Sequence, residues 1–235
     1  MHVALLERGV CIWPGVCHNG RMAEDLEEET GQHEKEQHTA HLPAAFSPAR
    51  LEAFSDGVLA VIITIMVLGI HPEKGGDISV LVALVPNLLI YLLSFTFIGI
   101  YWNNHHHLLR VTSQIDGAVM WANLHLLFWL SLIPIATLWS GENETAIAPA
   151  VAYGAVGLLA AIAYNILERF IIRANQGTDI ERALGDSAKD TISPLIYIVG
   201  MGLAFIPDFG PILSYLAYAV VAIIWFIPDR RLTRR

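Results

Sequence analysis

Residues Arg50 to Leu68 read RLEAFSDGVLAVIITIMVL, and the architecture turns on where the charge in this stretch gives way to apolar residues. From Gly57 a charge-free run continues for 14 residues to Ile70, about 21 Å of helix at 1.5 Å per residue. The hydrocarbon core of a bilayer is about 30 Å thick. A helix that crosses it must therefore draw Arg50–Asp56 into its opening turns. Ser55 and Asp56 then lie at or just inside the membrane boundary, where an isolated carboxylate is costly unless it is hydrogen-bonded or faces water. Partners must come from other helices.

Outward from that stretch, apolar segments fall at about 50–70, 79–103, 116–139, 146–169, 191–207 and 210–228. The predicted fold is all-α, a polytopic membrane protein of six transmembrane helices. The last two segments are shorter and are split by Pro207-Asp-Phe-Gly-Pro211, which predicts a tight helical hairpin. The chain is 54% hydrophobic and 15% charged, against about 25% charged for soluble domains. Its net charge of −8 owes most to residues 1–49, where eight acidic side chains face three basic ones, a balance of −5. The predicted organisation is an acidic, disordered tail over 1–47, a membrane domain over 48–228 and a basic C-terminus over 229–235. No feature points to nucleic acid. Cys11 and Cys17 have neither a disulfide framework nor a zinc spacing. The first residues lack a basic stretch followed by an apolar core, so no signal peptide is read.

Basic residues set the expected orientation. With the N-terminus in the cytoplasm, 13 of the 14 Lys and Arg residues fall on the cytoplasmic side and only Lys74 falls outside; the reverse topology inverts that ratio. Both termini are expected in the cytoplasm, the chain in the cell membrane, and Asp179–Leu184 in a short surface helix.

At 100° per residue, Arg50, Gly57, Val61, Thr64 and Leu68 project within about 40° of one direction, flanked by Phe54 and Ile65. Ser55 and Asp56 point away from that stripe. One face thus carries a basic mouth, medium-sized apolar residues and a single hydroxyl; the other carries polar groups able to pin the helix to its neighbours. On its own such a stripe is compatible with ordinary helix packing or lipid contact. Segment two ends in Trp102-Asn103-Asn104-His105-His106-His107, and segment three carries Asn123 and His125. The expected orientation puts these at the depth of Ser55 and Asp56, so Trp102, Asn103, His105, His106, Asn123 and His125 are candidate partners for the first helix. Consecutive histidines fan out by 100° each and cannot all ligate one ion, and no metal or cofactor is expected. A nucleophile elbow and a phosphate loop are missing, so the chain is not read as an enzyme.

Arg50-x-x-x-Phe54-Ser55-Asp56, with the apolar run behind it, closely resembles the signature of the transmembrane-protein-175 family of potassium channels. Trp102-x-x-His105-His106 and the Asn123…Pro134 pattern resemble it as well. The likeness covers about residues 48–228. A single six-helix unit looks like the prokaryotic form, and the resemblance implies a homotetramer in the lipid bilayer whose first helices line a central pore. It also implies passive conduction of potassium, the permeant ion, through an apolar constriction rather than a carbonyl filter. Carried onto this sequence, the constriction falls on Val61 and Leu68, with Ile65 adjacent and Thr64 supplying the hydroxyl associated with selectivity. Arg50, Phe54, Ser55 and Asp56 become structural, together with their partners on segments two and three. Val61 stands where a larger isoleucine or leucine is common, which implies a wider neck and weak to moderate selectivity. The alternative reading is a small-cation or proton-coupled secondary transporter. Against it, the two halves of the chain show no internal repeat, and midplane ionisable residues are lacking.

Overall fold

The computed structural model describes residues 47–72, 74–176 and 188–226, which fall within one compact unit, Phe46–Arg235. The acidic tail up to residue 46, the expected surface helix at Asp179–Leu184 and the basic C-terminus at 229–235 lie outside the described residues. Every regular element among the described residues is a helix.

The first helix, α1, spans Pro48–Leu68. Ser47 caps it by accepting from the Arg50 N–H at 3.3 Å, and Pro48 occupies a first-turn position where its missing N–H costs nothing. Helix α2 (Ile78–Ala83) is a single short piece ahead of α3 (Val85–Arg110). The sequence places the end of this segment near Asn103, but α3 carries the whole histidine run. No glycine or proline intervenes between Gly99 and Gly117 to stop it.

Helix α4 (Gly117–Ser131) is capped by Asp116, whose carboxylate accepts from the Val119 N–H at 2.8 Å. It gives way at Leu132 to α5 (Ile133–Glu142). Segment three is therefore broken, not continuous as its apolar run suggests. Pro134 has no N–H to give the carbonyl one turn back, and its ring crowds that turn. Helix α6 (Ile147–Ala174) follows, then α7 (Ala188–Leu203) and α8 (Gly210–Phe226). The turn joining the last two holds Asp208 at φ 67° and closes with Gly210 N–H on the Ile206 carbonyl at 3.0 Å, the hairpin its prolines and glycine announce.

Four stretches are long and apolar enough to cross a bilayer: Pro48–Leu68, Val85–Arg110, Gly117–Glu142 and Ile147–Ala174. The apolar part of α7, Thr191–Leu203, and α8 are shorter. Helix α6 is the central column, packing on α4, α5, α7 and α8, and α1 packs on α3, α4 and α5. Close approach to α6 depends on glycine. A Cβ at Gly154 would sit 2.1 Å from the Tyr218 hydroxyl oxygen, and one at Gly157 2.5 Å from the Tyr197 ring. That leaves α6, α7 and α8 as a tightly packed support, while α1 packs chiefly on α3, α4 and α5.

Candidate functional site

The two faces of α1 part as the sequence spacing predicts. Ser55, Leu59, Ile62 and Met66 are buried, Ser55 completely. Val61, Ile65 and Leu68 are 54%, 50% and 70% exposed, and Arg50, Gly57 and Thr64 are exposed with them. Thr64 donates its hydroxyl proton to the Val61 carbonyl at 2.9 Å. Its oxygen keeps lone pairs free on the exposed face.

The buried face begins in a chain of polar side chains. Ser55 Oγ donates to the Leu51 carbonyl at 2.9 Å and accepts from Asn123 Nδ2 at 2.9 Å. Asn123 Oδ1 in turn lies 2.7 Å from His105 Nε2. An amide oxygen only accepts, so His105 carries its proton on Nε2. Ser55, His105 and Asn123 are all buried, and together they tie α1, α3 and α4 at one level. Alongside, Trp102 Nε1 donates to Asp56 Oδ1 at 3.0 Å. One turn lower, Glu52 pairs with His106 Nδ1, whose ring stacks on Trp102 at 6.0 Å and 21°. Two acidic residues four apart on α1 thus meet two aromatic donors four apart on α3.

Four residues grouped with this network from the sequence lie elsewhere in the protomer. Asn103 is exposed on α3, because two residues along a helix turn it about 200° away from His105. His125 is likewise turned away from Asn123; it is exposed, and its Nε2 accepts from Trp129 Nε1 at 2.9 Å on its own helix. Phe54 faces outward. Arg50 is exposed, and its backbone N–H donates to Ser47.

Two features escaped the sequence reading. Glu52 belongs to the polar clamp, and its i, i+4 spacing from Asp56 was the available signal. Further along the bundle, Ser94 lies 2.7 Å from Thr137 Oγ1 and 2.8 Å from the Tyr153 hydroxyl, joining α3, α5 and α6 in the core. Thr137 also reaches Met66 Sδ at 3.9 Å. Scattered hydroxyls within apolar segments carry no spacing signal, since each can satisfy itself on its own helix. Among the described residues no three His, Cys, Asp or Glu side chains converge as metal ligands would.

The family described as endosomal/lysosomal potassium channel TMEM175 matches the chain over residues 50–134, from the start of the α1 motif to the proline of α5. A protein named potassium channel from Chryseobacterium sp. (strain P1-3) is 46% identical over 186 residues, 79% of this chain and 95% of its own length. The crystal structure of a lysosomal potassium-selective channel TMEM175 homolog from Chamaesiphon minutus matches with a TM-score of 0.67 at 30% identity, over 78% of this chain and 97% of that one. The Mus musculus protein named endosomal/lysosomal proton channel TMEM175 is 29% identical over 47% of this chain and 24% of its own length.

Proposed function

The chain belongs to the TMEM175 family, and on that premise we propose that this multi-pass membrane protein is a potassium-preferring cation channel that conducts passively along α1. The reading takes the exposed stripe of Val61, Thr64, Ile65 and Leu68 as the wall of a central pore shared by four copies. Six helices cross the membrane, α7 and α8 as the shorter pair, with both termini in the cytoplasm of a cell whose plasma membrane holds the channel. Residues 48–228 form the channel domain, and the acidic tail and the basic C-terminus flank it on the cytoplasmic side.

One observation carries this reading: α1 turns an apolar stripe with a lone hydroxyl outward while its opposite face is locked by polar side chains. A helix needing only lipid on its outer face has no use for a polar clamp that sets its rotation. In a pore, rotation decides which side chains the ion meets, and a turn of about 100° would replace each lining residue by its neighbour. An apolar neck makes an ion shed part of its hydration shell and empties of water when narrow, so it can select and gate at once. Potassium holds its water less tightly than sodium, so partial dehydration costs it less. Thr64, whose proton is already engaged by the Val61 carbonyl, offers an oxygen in place of a lost water. Arg50 at the mouth adds a positive charge outside the neck.

Single-channel recording of purified protein in opposed potassium and sodium gradients tests the reading. A unitary current reversing toward the potassium equilibrium potential is expected. Flux that appears only with a coupled gradient would point to a carrier. The name of the mouse relative favours a pH gradient in the same recording as a second arm, with reversal at the proton potential marking proton permeation.

A further inference from the structure

His125 and Asn103 are polar groups left facing outward from a membrane bundle. Because Trp129 Nε1 can only donate, His125 Nε2 accepts and the neutral ring carries its proton on Nδ1. That N–H has no acceptor among the described residues, and the ring is exposed. His125 stands eight residues into α4, about 12 Å along the helix, within a stretch long and apolar enough to cross a bilayer; ionisable side chains in such stretches face protein or water rather than lipid. Asn103 is exposed too, and its amide has no partner among the described residues.

The two lie at one level. His105 bonds Asn123 directly, and α3 and α4 run in opposite directions there, so stepping two residues from each moves both the same way along the membrane normal. Each step also turns the side chain about 200°. Since His105 and Asn123 point toward one another, Asn103 and His125 point apart, to opposite flanks of the protomer. Helix α1 packs on both helices. Within one copy the two groups face away from each other, so only a second copy can offer one to the other. Copies arranged cyclically about α1 must meet head to tail, the α3 flank of one against the α4 flank of the next.

We propose that the seam between neighbouring copies is closed by Asn103 and His125, the Nδ1–H of His125 donating to the Asn103 side-chain oxygen of the adjoining chain. Trp121 and Phe128, one turn either side of His125 on α4, are exposed, and so is Leu92, three turns from Asn103 along the same face of α3; they supply apolar surface along the same seam. This rests on the tetrameric reading above and names the surfaces that build it.

The test uses full-length chain with Cys11 and Cys17 replaced by serine and carrying Asn103→Cys together with His125→Cys. Oxidation in membranes should give a ladder of two, three and four linked chains on a non-reducing gel. Each single variant should stay unlinked, and the two singles expressed together should stop at two chains. A ladder absent from the double variant, while native mass spectrometry of the cysteine-free protein shows four copies, overturns the seam and leaves the tetramer standing. Linking by His125→Cys alone marks a twofold contact and also overturns it. A mass other than four copies removes the tetramer itself. Should the cysteine variant fail to fold, Asn103→Leu and His125→Leu serve instead. Each should lower the detergent concentration at which the tetramer separates, and the pair should do no worse than either alone; fully additive losses count against a shared contact.

Discussion

The two halves of α1 are held in different ways. From Leu51 to Asp56 the helix is gripped by directed bonds: Asn123 on Ser55, Trp102 on Asp56 and His106 on Glu52. From Leu59 to Met66 it is held by shape, with Leu59, Ile62 and Met66 set into the core and only the long Thr137–Met66 contact adding polarity. Directed bonds set a rotation, because an amide and a hydroxyl meet only at one angle. Apolar packing accepts small shifts for little energy. The lesson is a helix with a fixed base and an adjustable upper half, whose outward residues follow from an angle set one to three turns away.

Replacing Asn123 by Ala should do the most damage to this contrast. It strands the buried His105 Nε2–H and removes a donor from Ser55, and should destabilise the fold by about 2 kcal/mol. For a chain of this size that lowers a melting midpoint in detergent by about 4–8 °C. An unchanged midpoint would mean that the base is not fixed by these bonds. In the upper half of α1, Leu68→Ala should change the melting midpoint by no more than about 1–2 °C, since the side chain is mostly exposed. The same variant should raise basal potassium flux several-fold in liposomes. A large loss of stability with unaltered flux would put Leu68 in packing rather than in the pore.

Thr64→Val keeps the shape of the side chain and removes its oxygen. The expected result is a several-fold fall in potassium-over-sodium preference, read as a shift of reversal potential under bi-ionic conditions. Smallest of all should be Glu52→Gln. The Glu52–His106 pair is partly exposed, with side chains 22% and 34% accessible, and such pairs contribute at most about 1 kcal/mol. A loss well above about 1 kcal/mol would show that the pair is better shielded than its exposure suggests.

Much of α1 was legible in advance. The 3.6-residue repeat assigns each side chain a direction about its own axis, so the outward stripe and the inward Ser55 could be read from spacing. The partners were harder. Asn123 and His105 were named with Asn103 and His125, because matching depth was the only criterion and all four satisfy it. Which two face inward depends on how α3 and α4 are rotated against α1, and that is a property of three helices together. The break at Leu132 was carried by Pro134, a local signal outweighed by the length of the apolar run around it. The Ser94–Thr137–Tyr153 cluster had no local signal.

The succession of apolar segments determined that this chain crosses a membrane, and spacing within residues 50–68 determined that its first helix has two unlike faces and which face carries the lone threonine. Those properties belong to one helix and follow from its regular geometry. Tertiary structure alone decided that Ser55 would meet Asn123, that Glu52 would meet His106, and that Asn103 and His125 would be turned to opposite flanks. A hydrogen bond between helices requires two rotations and a common level at the same time, and those are set only when all the packed side chains settle together.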